Sequence, residues 1–342
     1  MKLSSFFLKR LLQSILVLFG LSILIFIIAR VIPGDPARMA LGPRAPEEVV
    51  QRLRQEMYLD KPLPEQYSYW IRGVLSGDFG RSLVTKRAVS EDIMEYLPAT
   101  MELVIFAMIL TVIFSVLLGT LAAQYKDTWV DNLIRTLSYF GVAIPSFVAA
   151  IIFMLLFGYL WPILPVLGRL SPGISHPTRI TGLLTLDSLI QGNFVAFWDA
   201  FKHLILPSVA LSLGRLFQEA RITRSSMVDN MRKDFLSAAR GFGIPERVIM
   251  FKYLLKPSLI PTVTMMGMDF GFAFANAFLV EKIFIWPGIS RYGINGMMNK
   301  DLSVISAVIL VTGVIFLSMN IIADIIVAFL DPRVRLSASR GI

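Results

Sequence analysis

Five side chains that carry a charge or a strong dipole stand inside otherwise apolar stretches: Glu102, Glu219, Asp269, Asn276 and Asp324. Such groups are costly in lipid, so each marks a path for a polar solute or a joint between helices. Asp269 and Asn276 lie about two helical turns apart and therefore share one face of a helix. They line a polar passage, or they pin that helix to a neighbour; the spacing is compatible with both. A proton relay would need several carboxylates or histidines in register, and the sequence holds no such series. The two histidines, His176 and His203, have no carboxylate nearby at a recognisable ligand spacing and read as ordinary polar residues. Cysteine is absent, which excludes thiolate nucleophiles, disulfides and cysteine metal sites. A phosphate-binding loop of the G-x-x-x-x-G-K-[ST] type needs a Gly-Lys pair. None of the 23 glycines precedes a lysine. There is no H-E-x-x-H or G-x-S-x-G either, so nothing supports an enzyme. If the chain moves a solute uphill, the energy comes from elsewhere.

The elements that must position these residues are membrane helices. Of 342 residues, 55% are hydrophobic, and the excess falls in long blocks. This predicts an all-α integral membrane protein. Six spans are expected, at about residues 11–29, 98–123, 133–160, 203–222, 258–280 and 303–330. The first is read as retained, because it ends in Ala29-Arg30-Val31-Ile32-Pro33 and not in a small-residue cleavage site. Pro145 is expected to kink the third. Gly267, Gly271, Ala273, Ala275 and Ala277 give the fifth a small-residue face for close packing. Four regions follow: an N-terminal membrane helix (1–30), a small external module (31–97), a five-helix core (98–330) that includes a cytoplasmic segment (223–257), and a tail (331–342). Residues 161–202 form a second external loop, in which 181–190 is apolar enough to pack or dip into the membrane surface. The net charge is +9. The basic residues collect between the fourth and fifth spans, which places that segment and both termini in the cytoplasm. The charge is thereby explained by topology, and no nucleic acid partner is implied.

Residues 235–257 stand apart as a charged amphipathic stretch between two apolar runs. Phe235, Ala238, Ala239 and Phe242 have the spacing of one helix face. Asp234 is a candidate cap. Gly243 can stop the helix, and Pro245 suits the start of another. Pro257 is expected to close that second helix. Helix, break and helix could lie on the lipid surface or meet a protein partner.

The order of several strings narrows this. Ser237-Ala238-Ala239, three residues and then Gly243 resembles the Glu-Ala-Ala loop of ABC importer permeases. Ile32-Pro33-Gly34-Asp35-Pro36, Leu59-Asp60-Lys61-Pro62-Leu63, Gly77-Asp78-Phe79-Gly80-Arg81-Ser82, Leu97-Pro98-Ala99-Thr100-Met101-Glu102-Leu103, His203-Leu204-Ile205-Leu206-Pro207, Trp286-Pro287-Gly288 and Asp331-Pro332-Arg333 occur in that order. Together they resemble the permease subunit of the dipeptide/oligopeptide/nickel family over nearly the whole chain. Ser237 stands where many permeases have glutamate. The resemblance implies a type I ABC importer permease fold in a prokaryotic inner or plasma membrane. It implies a second homologous permease chain, two cytoplasmic ATPase subunits that bind ATP and magnesium, and an extracytoplasmic binding protein. No cofactor is expected in this chain itself. The resemblance also makes 235–247 the coupling helix. Phe235, Leu236, Ala239 and Phe242 would be its apolar anchor, Arg240, Glu246 and Arg247 its rim charges and Gly243 its bend, with Ala238 and Pro245 also among the ATPase-coupling residues. Asp269 and Asn276 would lie along the translocation pathway. Peptides are the expected cargo, with nickel, glutathione or oligosaccharide as family alternatives and a self-sufficient carrier or channel as the competing class.

Overall fold

The structure, a computed structural model, describes residues 3–31, 36–42 and 44–330. The predicted tail and the strings at 32–36 and 331–333 fall wholly or largely outside those residues. Helix α1 (Leu3–Val31) is a long apolar span. Three short helices follow, α2 (Pro36–Leu41), α3 (Glu47–Glu56) and α4 (Leu63–Leu75). The last of them rests on α1: the Tyr67 hydroxyl meets Ser22 Oγ at 2.8 Å, and the rings of Tyr67 and Trp70 pack on Phe26. Gln66 is buried and donates to the Lys61 carbonyl at 2.7 Å, which closes the Leu59–Leu63 turn.

The second span differs from expectation at its start. Helix α5 (Val89–Gln124) begins nine residues before Pro98 and runs straight through it. A proline inside a helix orphans the carbonyl four residues back. Here that carbonyl belongs to Met94, and the Arg179 guanidinium donates to it. The predicted boundary at 97/98 therefore falls inside α5.

The third span differs more. Instead of one kinked helix there are two, α6 (Trp129–Ala143) and α7 (Ser146–Met154), bent by 101°. Helix α7 continues in wider π-type turns over Leu155–Leu160. Helix α8 (Leu184–Ile190) lies within the predicted apolar loop segment, with Leu184, Asp187 and Ser188 buried. Asp187 accepts from the backbone N–H groups of Ile180, Thr181 and Gly182 and from the Thr181 hydroxyl. Burial opposes its charge, but these donors prevail and hold its carboxyl below the ordinary aspartate value. Helix α9 (Phe194–Met231) is capped by the Asn193 side chain and runs 38 residues, about 57 Å, well past the roughly 30 Å of a bilayer core.

Helix α10 (Asp234–Gly241) and the short α11 (Glu246–Val248) follow. Next come a π-type segment (Ile249–Leu255) and α12 (Lys256–Ile283) with no break between them. Pro257 therefore does not close a helix. The wider turns before it make room for its ring and missing N–H. Helices α13 (Ile289–Met298) and α14 (Leu302–Leu330) complete the chain. Among the described residues five helices are long and apolar enough to cross a membrane, or six if the bent pair is one span.

The centre of the bundle is α5, α9 and α12. At Gly119, any Cβ would lie 2.6 Å from Thr223 Cβ, so α5 and α9 touch there. Gly267 and Gly271 likewise admit Ala323 and the Phe316 ring, which seats α14 against α12 as the small-residue face predicts. Gly271→Leu overpacks that contact. It is expected to cost about 1–3 kcal/mol, read as a lower thermal midpoint of the purified protein.

Candidate functional site

The amphipathic stretch is a short helix closed by a glycine turn. In α10, Leu236 and Ala239 are buried against Met227, Ile249, Leu254 and Ala123. The inward face is therefore Leu236 and Ala239, and the exposed residues are Phe235, Ala238 and Phe242. Phe242 is 86% exposed. This corrects the expected anchor: two of its four members fasten α10 to its own bundle, leaving the two phenylalanines free. Asp234 is the first helical residue and caps nothing; Lys233 stands at the cap position without a side-chain bond.

The turn itself is as anticipated. Gly243 has φ +70°, a left-handed conformation that favours glycine. Ile244 N–H donates to Ala239 O at 3.2 Å and Gly243 N–H to Arg240 O at 2.9 Å. This pair of bonds is a Schellman motif, and Ile244 packs in the same cluster as Ala239. Pro245 directly precedes α11. Arg240 spans the break with two bonds to Glu246, at 2.8 and 3.2 Å. Both side chains are exposed, so this pair orients more than it stabilises. Arg247 is also exposed.

The second candidate cluster joins α9 to α12. Asp269 is buried and ion-paired to Arg215, while its second oxygen meets no N–H or hydroxyl donor among the described residues. Glu219, one turn along α9 from Arg215, is fully buried beside both, its carboxyl within hydrogen-bonding reach of Asp269 and met by no N–H or hydroxyl donor among the described residues. Asn276 is exposed, donates back to Phe272 O at 2.9 Å and lines a cleft of about 280 Å³ with Arg215 and Gln218. Of that face, Asp269 is a buried joint between α9 and α12, and Asn276 opens on the cleft. The i, i+4 spacing of Arg215 and Glu219 is visible in sequence. Their meeting with Asp269 is not.

The remaining intramembrane acids are joints. Asp324 pairs with Arg10 across α14 and α1 at 3.1 Å. Glu102 holds Arg169 at 2.5 Å and accepts from Thr185 N–H and Oγ at 2.7 and 2.6 Å. His203 does have a carboxylate partner, Asp199, at 3.4 Å on the preceding turn. That pair belongs to a loop joint, since Asp199 also accepts from Ser171.

At the opposite end from α10, the strings found in the sequence meet one another. The Trp286 indole donates to Ala99 O at 2.9 Å. Thr100 Oγ donates to the buried Glu281 at 2.5 Å and accepts from Ile289 N–H at 2.8 Å. Gly288 sits where any Cβ would strike Glu281 and Thr100. Ser82 donates to the buried Asp301 at 2.8 Å. Tyr292 donates to Asp92 at 2.9 Å; its burial, and then the Asp92 carboxylate, push its phenol above the ordinary tyrosine value. These motifs are one clasp over the ends of α5, α12, α13 and α14.

Residues 115–336 match the family described as the binding-protein-dependent transport system inner membrane component, and residues 3–104 match its N-terminal counterpart. The chain belongs to this family. It is 37% identical over 327 residues to the dipeptide transport system permease protein of Alkalihalophilus pseudofirmus, covering 96% of this chain and 98% of that one. It is 34% identical to a probable D,D-dipeptide transport system permease protein of Escherichia coli, over 94% of both chains. It is also 34% identical to the glutathione transport system permease protein of Salmonella typhimurium, over 97% of this chain and 99% of that one. The protein is a multi-pass ABC importer permease with the type I fold. Permeases of this family work with ATPase and substrate-binding partners.

Proposed function

We infer that this permease forms half of a translocation pathway for peptides and draws its energy from ATPase subunits docked on residues 235–247. One observation carries the reading. A helix presenting two free phenylalanines is clamped by a Schellman turn to the continuous helical run that bears Asp269 and Asn276. A push on Phe235 and Phe242 therefore reaches the middle of the bundle without crossing a flexible loop. ATP and magnesium belong to the partners, and this chain supplies no catalytic group. A second homologous permease closes the pathway, and an extracytoplasmic protein delivers cargo onto the module at 31–97. Both termini and α10 face the cytoplasm. Relatives named for dipeptides and for glutathione support a cargo with amide bonds.

The test is reconstitution. Peptide uptake should require the second permease, the ATPase subunits, ATP and the binding protein together; uptake by this chain alone in liposomes would mean a self-sufficient carrier. Phe242→Asp is expected to weaken ATPase capture without lowering insertion. An unchanged pull-down would assign α10 to the membrane surface instead.

A further inference from the structure

The break between α6 and α7 leaves backbone groups without partners. Pro145 has no N–H to return to the Gly141 carbonyl. Ser146 and Phe147, the first residues of the nine-residue α7, donate their backbone N–H groups to nothing among the described residues. Irregular backbone at membrane depth persists only where protein or a polar cavity covers it. Here there is such a cavity, the cleft of about 280 Å³ lined by Ile144, Pro145, Ser146, Gly214, Gln218 and Asn276, with Arg215 at its side. Gly214 brings α9 close to the open end of α6: a Cβ there would lie 3.5 Å from the Gly141 carbonyl.

The chemistry of the lining is specific. Arg215 is tied to Asp269, so its charge is already matched by a buried carboxylate. What remains free is uncharged. Gln218 makes no hydrogen bond within the described residues, and the side-chain oxygen of Asn276 is likewise unbonded. Each carboxamide carries one acceptor and two donors, and Ser146, the first residue of α7 and part of the lining, adds a backbone N–H and a hydroxyl. Unpaired donors and acceptors with the charge cancelled match a peptide bond better than a charged terminus or an apolar side chain. The cleft admits a short stretch of chain.

We propose that the cleft at the α6–α7 break is a cargo subsite that hydrogen-bonds the backbone amides of a passing peptide through Gln218, Asn276 and Ser146. This rests on the peptide reading above. Recognition of the backbone alone lets one pathway pass peptides of differing side chains, and discontinuous helices serve solute binding in other membrane carriers.

The experiment uses the assembled importer in proteoliposomes. Gln218→Leu combined with Asn276→Leu is expected to lower uptake of several unrelated dipeptides by about tenfold, as loss of two hydrogen bonds would. Hydrolysis of ATP stimulated by the binding protein should persist, and Gln218→Asn with Asn276→Gln should restore part of the uptake. Because the chain has no cysteine, Asn276→Cys adds a single thiol, whose alkylation should slow when loaded binding protein and ATP are supplied. Unchanged uptake together with unprotected labelling of that introduced thiol overturns the subsite. Loss of hydrolysis in parallel with uptake also overturns it and assigns the pair to coupling. A loss confined to acidic peptides assigns the cleft to carboxylates through Arg215. If the unmodified importer moves no peptide at all, the cargo reading has failed before the subsite is tested.

Discussion

Gly243→Val is expected to insert normally and assemble, yet hydrolyse ATP without importing cargo. Open space surrounds the position where a Cβ would lie, so no collision drives the effect. The cause is the backbone. A β-branched residue at φ +70° is strained by about 1–2 kcal/mol, more than the net worth of either turn bond. The variant relieves the strain by opening the Schellman turn. That frees Ile244 from Ala239 and detaches α10 from the helix behind it. The exposed phenylalanines remain available to a partner, but their movement no longer reaches α12. Uptake and hydrolysis measured on the same vesicles separate the two. Full uptake would remove residues 235–247 from the coupling role.

The second large effect concerns one arginine and two acids. Arg215→Leu leaves Asp269 and Glu219 buried side by side with no cation, and breaking a buried pair costs about 3–5 kcal/mol. Asp269→Asn removes one acid and leaves Arg215 free to fall back on Glu219, one turn along the same helix, so a smaller loss is expected. Glu219→Gln replaces the acid beside Asp269 by an amide that can still donate to it, and is expected to be neutral or stabilising. The order of thermal midpoints of the purified complex checks this: Arg215→Leu lowest, Asp269→Asn between, Glu219→Gln at or above the parent. If Glu219→Gln proves as damaging as Arg215→Leu, the carboxylate has a partner and the cluster is a closed triad.

Local rules were legible where the cause was local. Gly243 could be read as a helix stop because a left-handed residue leaves a glycine in the sequence. The close seating of α14 on α12 followed from small residues spaced on one face. Prolines were misread where the answer lay far away. Pro98 looked like a helix start, and only the Arg179 guanidinium, supplied by a distant loop, lets α5 pass through it. Pro145 looked like a kink; with no donor for Gly141, the helix parts completely and opens a cleft. Leu236 and Phe242 are both apolar, and periodicity alone could not tell which faces the bundle. The pairing of Arg215 with Asp269 joins two helices whose register is set by packing, which no spacing encodes.

The helical run from Glu246 to Ile283 is unbroken and is joined to α9 near its middle. The Thr223 and Thr262 hydroxyls meet at 2.9 Å, and Asn230 holds Ser258 at 2.8 Å, where α9 crosses α12 close to the Gly119 contact. From Thr262 to Glu246 is about 24 Å of helix, and from Thr262 to Asn276 about 21 Å. Arms so nearly equal give little mechanical gain or loss. For a run that turned as one body about this crossing, a displacement of the α10 end would reappear at the cleft at almost the same size and in the opposite sense.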